Sequence, residues 1–414
     1  MEAAENIAPS RQLTRLWATR ISVFLAVATV ASVLVSCGTT VVPAVKARPL
    51  TIGAIFSLTG GGDVYGPQQE RAAQLAVAQV NSAGGINGRP IALKVLNDGS
   101  SPSSGRSAMR RLIDGYGAVA IMGPTLSDVA VKADPLANSL DTPVLAVSNT
   151  APGIVGRCAY PCQWIWRDSL GEATAVPDAI SYYLSTTHPS SAAIIHVEGD
   201  LLGIAEAQIA GSTFRAHGIP IAANISVPDS TAGLSSLVFR VTSAGPGVVF
   251  IGTSYGAIAA AIVKDLVSEG FTGQIIGGNT FNSQVTLNQI GKAGTGSLSG
   301  AAWWSGNDFP ANAAFISSYE QAFGIAPDQF AAQAYTGILI LAQAMRHAGL
   351  GGTARYSLRM ERAKIQAALK TVALITPLGP FRFTRSHDVS QIAWVLRINP
   401  AGLHELADFC NPGC

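Results

Sequence analysis

Charge is scarce in this chain. Of its 414 residues only 13% are Asp, Glu, Lys or Arg, the formal net charge is +2, and Lys and Arg nowhere gather into a run. Nucleic-acid binding rests on a basic patch that neutralises phosphates, so no nucleic-acid partner is expected. The 6 histidines form no i, i+4 pair and no cluster with cysteine, which leaves no metal-ligand spacing. No internal repeat of short fixed period appears, so repeat arrays are not indicated. The apolar run Ile21–Val35 is short for a spanning helix. What the chain has in quantity is small and apolar: 48% hydrophobic residues and 43 dispersed glycines. Such a composition describes a compact globular protein with many tight turns, and the length suits two domains or lobes.

The N-terminus carries an address. Arg11, Arg15 and Arg20 form a basic n-region ahead of the apolar Ile21–Val35. That order suits a secretory signal, read here as residues 1–36. Leu34-Val35-Ser36-Cys37-Gly38 resembles a bacterial lipobox, in which the cysteine becomes the lipidated N-terminus. Residues 37–49 then read as a lipidated tether, and the protein is expected outside the cytoplasm, anchored to the cell membrane. The remaining cysteines fall in two short Pro-containing loops, Cys158-Ala-Tyr-Pro-Cys162 and Cys410-Asn-Pro-Gly-Cys414. Two local disulfides are the simplest arrangement in an oxidising exterior. Pairing between the loops and metal binding remain open alternatives.

From Leu50 onward, strand patterns alternate with helical ones. Apolar runs predict strands at Pro49–Leu58, Ile91–Leu96, Ala118–Met122, Val144–Val147, Ala192–Val197, Ile221–Val227, Val248–Ile251 and Gln274–Ile276. A helix starts at Pro67, since Pro suits the first helical turn and Ala73, Ala76, Val77 and Val80 repeat at helical spacing. Further helical segments lie around 128–140, 172–185, 203–217, 232–243 and 256–269. Phe315–Ala348 forms the longest helical stretch, broken at Gly324–Pro327. Pro380–Phe383 and Ile392–Ile398 read as a final pair of strands. Alternation of this kind argues an α/β architecture of doubly wound, mostly parallel sheets.

The stretch Ala118–Pro152 is where a ligand is expected. It reads strand, loop, helix, strand, loop, and the two loops lie at the carboxyl ends of adjacent strands, where open α/β sheets bind ligands. Both loops offer hydroxyls and backbone N–H groups. A helix start at Ser127-Asp128 adds a dipole that favours an anion. The combination predicts a pocket for a small carboxylate or similarly polar head group.

Several segments resemble one family in order and spacing. TIGAIFSLTGGGDVYGPQQERAAQLAVAQVNSAGGINGRPIAL, Ile121-Met-Gly with Ser127, Ala133-Asp-Pro, Thr142-Pro-Val-Leu-Ala-Val-Ser-Asn-Thr-Ala-Pro, and the later Phe315-Ile-Ser-Ser-Tyr stretch are similar to the leucine/isoleucine/valine-binding proteins. The likeness covers essentially the whole mature chain. It implies a two-lobed type I periplasmic-binding-protein fold with three crossovers at the hinge. Lobe 1 would be 50–168 and 302–385, and lobe 2 would be 169–301 and 386–409, with 410–414 as a C-terminal tail. It implies a solute-binding lipoprotein, probing no chemistry of its own, that delivers ligand to the permease subunits of an ABC importer as a monomer. Carried over residue by residue, Ser127 binds the ligand carboxylate, while Ser148 and Thr150 hold the head group. Tyr65 is a first-lobe pocket aromatic, and Tyr255 is a second-lobe tyrosine that closes over the ligand.

Two positions depart from the amino-acid binders of that family. Asn279 stands where they place an acid to pair the ligand ammonium, and Leu202 stands where a second tyrosine is expected. An unpaired ammonium in a closed cleft is costly. Asn279 therefore fits a neutral amide, a urea-like compound or a carboxylate without an amine as well as a branched-chain amino acid. Asp200, Glu198 and Asp128 are acids on nearby loops that could substitute.

Gly252-Thr253-Ser254-Tyr255-Gly256 matches the nucleophile-elbow pattern of a serine hydrolase. Ser254 would be the nucleophile, with Asp308 or Asp328 as acid and His347, His387 or His404 as base. The motif comes late in the chain, and no HGGG-like oxyanion segment precedes it, so the chain is expected not to be an enzyme. Gly60-Gly-Gly-Asp-Val-Tyr-Gly lies between a strand and a helix but has the wrong spacing for a dinucleotide turn, so it reads as a tight turn and no cofactor is expected. A ligand sensor of the same fold is the remaining alternative. Trp164, Trp166, Trp303 and Trp304 bracket the expected crossovers and are read as hinge packing.

Overall fold

The first sheet is buried on both faces around an inner strand whose residues are almost all apolar. A computed structural model describes residues 48–158, 160–352, 356–399 and, for the backbone, 404–410. In β1 (Leu50–Phe56), Ile52, Ala54 and Phe56 enter one apolar cluster while Ile55 enters another. That alternation is the mark of a parallel strand covered by helices on each side. Around it run α1 (Gly66–Ser82), β2 (Ile91–Asn97), α2 (Pro102–Arg110), β3 (Ala120–Met122), α3 (Ser127–Ser139), β4 (Val144–Ala146) and β5 (Ile165–Arg167). The order is β2-β1-β3-β4-β5, and every neighbouring pair is parallel. α1 begins at Gly66-Pro67 and ends before Gly84 and Gly85, whose φ values of 93° and 69° suit glycine.

The chain then leaves that sheet. α4 (Glu172–Thr186), β6 (Ala192–Val197), α5 (Leu201–Ala216), β7 (Ile221–Val227), α6 (Leu234–Thr242), β8 (Val248–Gly252), α7 (Gly256–Ser268), β9 (Gln274–Gly277), α8 (Gln284–Ile290) and β10 (Leu298–Ala301) build a second layer. After β10 it returns through α9 (Pro310–Phe323), α10 (Gln329–His347) and α11 (Leu358–Leu369). α1, α10 and α11 cover one face of the first sheet. A small antiparallel sheet follows, formed by β11 (Ala373–Thr376), β12 (Gly379–Phe383) and β13 (Val389–Ser390). Finally β14 (Ala393–Ile398) and β15 (His404–Cys410) complete the second sheet, whose order is β15-β14-β10-β9-β8-β6-β7. β6 to β10 are parallel, and the last two strands are antiparallel. Two mostly parallel sheets flanked by helices form the α/β architecture that the alternation of strands and helices predicts.

Some expectations need correction. Pro380–Phe383 and Ile392–Ile398 do not pair with each other: β12 joins the small sheet and β14 joins β10. Strands β5, β10 and β15 are too short or too polar to stand out in the sequence. Cys410, read as the start of a tail, lies in β15 opposite Ala393. Of the two expected disulfides, Cys158–Cys162 is formed. Cys37, Cys414 and the Cys410 side chain lie outside the described residues. The tryptophans pack where the chain passes between sheets. Trp166 stacks on His387, Trp303 donates to Asn312 Oδ1 at 2.8 Å, and Trp304 packs on Trp394. Among the described residues no helix is long and apolar enough to cross a membrane.

Candidate functional site

The carboxyl ends of β3 and β4 face those of β8 and β9, and the loops that follow them meet. Gly60–Gly62 make the tight turns expected of them, with Asp63 N–H donating to Gly60 O and Tyr65 N–H to Gly62 O. They deliver Tyr65 to the start of α1. From the first sheet come Tyr65, Thr125, Leu126, Ser127 and Ser148, with Phe330 from α10. From the second come Leu202 on α5, Ser254 after β8 and Asn279 after β9. Together they line a cavity of about 10 Å³, the room of roughly one water. Admitting a small organic molecule therefore requires the two walls to part.

The wall contributed by the first sheet is braced. Gln69 Nε2 donates to Ser148 Oγ at 2.7 Å, Ser148 Oγ donates to Thr125 O at 2.7 Å, and Thr125 Oγ1 donates to Gln69 Oε1 at 2.6 Å. Ser148 thus spends its hydroxyl on the protein and offers the cavity its backbone. Ser127 Oγ accepts from Ala151 N–H at 3.3 Å, which leaves its own proton free to donate. Ser127 opens α3, whose first residues carry no side-chain cap, so the positive end of the helix faces the same point.

Asn279 is a hub. Ala302 N–H can only donate, so Gln329 Oε1 faces it at 2.6 Å and Gln329 Nε2 points to Asn279 Oδ1 at 2.7 Å. Asn279 Nδ2 must then donate to Thr150 Oγ1, at 3.3 Å. Thr150 Oγ1 in turn donates to Glu172 Oε1 at 2.6 Å, and Asn279 N–H donates to Glu206 Oε1 at 2.8 Å. Glu172 and Glu206 are buried and near enough for each to act on the other's ionisation. Their Oε2 atoms have no hydrogen-bond partner. Burial pushes both acids above the usual carboxylate range, Glu206 further because Glu172 repels its charge.

The two walls are joined directly. Tyr65 OH donates to Ser254 O at 2.7 Å and lies 2.7 Å from Thr280 Oγ1; burial raises its pKa. Ser283 Oγ donates to Val64 O at 2.9 Å, and Gln284 N–H to Asp328 Oδ2 at 3.2 Å. Leu201 N–H donates to Asp128 Oδ2 at 3.3 Å. The Asp128 carboxyl is raised to about 6, by burial first and then by the charge of Asp200.

Of the residues expected to bind ligand, Tyr65, Ser127, Ser148 and Asn279 line the cavity, and Thr150 backs it through Asn279 and Glu172. Tyr255 stands apart: it precedes α7, and its ring covers Gly61, where a Cβ would come within 2.4 Å of Cδ1. Leu202 lines the cavity in the place expected for a tyrosine. Of the acids considered as substitutes at Asn279, Asp200 is buried and Glu198 is exposed. Glu172, Glu206, Gln69, Gln329 and Phe330 were not anticipated. A signal existed for Glu206: it is an acid set among Leu202, Gly203, Ala207 and Ala210 on the buried face of α5.

The nucleophile-elbow reading fails on geometry. Ser254 Oγ donates to Asp200 Oδ1 at 2.8 Å and Ser254 N–H donates to Asp200 Oδ2, so a carboxylate holds the serine where an imidazole base would have to stand. His347 makes its contact with Gln343, and His387 stacks on Trp166.

A family model described as periplasmic binding protein matches residues 49–403. The Leu/Ile/Val-binding protein homolog 3 of Brucella melitensis is 25% identical over 303 residues, spanning 72% of this chain and 79% of that one. Two solved structures share the fold. One is the branched-chain amino acid transporter substrate binding protein LivJ from Streptococcus pneumoniae in complex with isoleucine, with TM-score 0.78, 20% identity, and 88% and 100% of the two chains covered. The other is a solute binding protein of an ABC transporter from R. palustris in complex with benzoate, with TM-score 0.78, 21% identity, and 88% and 97% covered.

Proposed function

The chain belongs to the leucine/isoleucine/valine-binding family of periplasmic binding proteins, and on that premise we propose that it captures a small solute for an ABC importer. The ligand sits between two lobes, residues 50–168 with 302–385 and residues 169–301 with 386–409. The observation that carries this reading is the cavity's two-sided character. The Ser127 hydroxyl, the N-terminus of α3 and the Ser148 backbone offer donors for a carboxylate, while Leu126, Leu202 and Phe330 supply an apolar wall. That pairing suits a branched-chain amino acid or a small carboxylic acid such as a benzoate, the ligands held by the two structural relatives.

Closure is the mechanism. Hydrogen bonds from Tyr65, Asn279 and Asp128 join the lobes, and a ligand that touches both walls adds to them. It thereby shifts the open–closed equilibrium by its differential affinity for the closed state. No bond is made or broken, and the closed form is what the permease subunits recognise. A signal peptide ending at residue 36 and a lipid on Cys37 would tether the monomer outside the cytoplasm; loss of labelled palmitate in Cys37→Ser tests that anchor.

A thermal-shift screen of the purified protein with amino acids, amides and small carboxylates tests the whole reading. A ligand of one of these classes is expected to raise the midpoint, and Ser127→Ala is expected to abolish most of the rise. No response to any class refutes the solute-binding role.

A further inference from the structure

A second cavity lies outside the cleft. It holds about 230 Å³, against about 10 Å³ for the cleft cavity, and its walls come from both halves of the fold. Leu287 of α8 and Leu396 of β14 belong to the second sheet and its helices. Ile316 of α9 and Asp328, the N-cap of α10, belong to elements that cover the first sheet. Trp303 and Trp304, on the connection after β10, complete the lining, and Glu320 stands where it meets solvent.

The neutral polar groups on these walls are already engaged. Asn282 Nδ2 donates to Gly300 O at 2.8 Å, and its Oδ1 accepts from Ser299 Oγ at 2.9 Å. Gln329 uses both ends of its amide, on Ala302 N–H and on Asn279 Oδ1. Trp303 gives its N–H to Asn312 Oδ1. What remains is indole surface and negative charge. Asp328 is 4% exposed. Its Oδ1 accepts from Ala331 N–H at 3.0 Å and its Oδ2 from Gln284 N–H at 3.2 Å, which leaves a lone pair on each oxygen. No Lys or Arg lines the cavity, and among the described residues no ion pair holds Asp328 or Glu320.

We infer that this cavity is a second binding site, for a small organic cation with an aromatic or alkyl body. The ammonium meets Asp328 and the indoles, and the body lies against Leu287, Ile316 and Leu396. An aromatic face attracts a cation most where water is excluded, and a buried carboxylate without a counter-ion adds a charge-assisted contact. A neutral molecule of the same shape gains the apolar contact alone. Because the walls come from both halves of the fold, an occupant favours the form in which they meet, and by linkage it tightens the solute in the cleft. Gln329 stands between the two sites: it lines this cavity and donates to Asn279 of the other at 2.7 Å. The coupling rests on the closure proposed above; the site does not.

Tryptophan fluorescence of the purified protein at pH 8 tests the site, with 2-phenylethylammonium as probe and 2-phenylethanol as its neutral counterpart. The Asp328 carboxyl, raised by burial to about 6, is ionised there. The ammonium is expected to change the emission saturably and to bind about tenfold or more tightly than the alcohol. Asp328→Asn keeps a side chain able to cap α10 and removes the charge, so it is expected to weaken the ammonium about tenfold. Ile316→Lys, on the half-buried face of α9, sets a like charge in the cavity and is expected to abolish binding without touching the cap. Ser127→Ala, in the other cavity, is expected to leave the ammonium unaffected. No saturable response, equal binding of the alcohol, or unchanged binding in Asp328→Asn or Ile316→Lys overturns the second site and leaves the solute-binding role standing. So does loss of binding in Ser127→Ala, which would put the amine in the cleft. Calorimetry of a solute from the thermal screen is expected to show about threefold tighter binding with the ammonium present. Equal affinities overturn the coupling. If no solute binds, the role and the coupling fall together, and the fluorescence response still decides the site.

Discussion

Tyr65→Phe isolates the link between closure and affinity. The substitution keeps the ring against Phe330, with centroids 4.4 Å apart, and removes only the hydroxyl. In the closed state that hydroxyl satisfies Ser254 O, on a residue 1% exposed, and contacts Thr280 Oγ1. Removing it leaves a buried carbonyl without a donor, at a cost of about 1–3 kcal/mol. In the open state water reaches the same carbonyl, so the cost falls on closure and hardly at all on folding. A value of about 2 kcal/mol corresponds to roughly thirtyfold, since each 1.4 kcal/mol is tenfold. The apparent affinity for a ligand bound by the closed form should weaken by that factor. Calorimetric titration of the variant with the ligand from the thermal screen measures it, and denaturant unfolding without ligand supplies the control. An affinity within threefold of the parent, with the hydroxyl gone, would refute the idea that Tyr65 helps to hold the lobes shut.

Asp128 and the glycine under α4 provide two further tests. The Asp128 carboxyl is raised to about 6 where it meets Leu201 N–H and Asp200, so the closed form binds its proton more tightly than the open form does. Its stabilising contribution to closure is complete below the usual carboxylate range and is lost as pH rises through about 6. The distance between spin labels on the two lobes should lengthen over that window, and Asp128→Asn should remove the part of the change centred near 6. Gly300→Ala would set a Cβ 2.0 Å from Ala175 O, forcing α4 off β10. A loss of about 1–3 kcal/mol in urea unfolding is expected for such overpacking, and an unchanged midpoint would count against that close approach.

Much of the first wall was legible because it is local. Strand ends at Met122 and Ala146, the helix start at Ser127 and the turn before Tyr65 all follow from patterns a few residues long. The second wall was read less well. Leu202, Ser254 and Asn279 could be named, but the role of Ser254 depended on a partner 54 residues away, since Asp200 holds both its N–H and its hydroxyl. A five-residue motif cannot report which side chain faces it. Tyr255 shows the same limit, because its neighbour Gly61 comes from the other end of the fold.

By itself the chain's order of residues determined the alternation of strands and helices, the parallel sheets and the corner of hydroxyls around Ser127. Periodicity and turn chemistry act over a few residues and survive without knowledge of what packs against them. Only the tertiary structure decided the charge of the cleft. Asn279 is neutral, yet Glu172 and Glu206 come from helices α4 and α5 to lie beneath it, through Thr150 and its own N–H. Electrostatics acts through space and through burial, and both are properties of the folded chain.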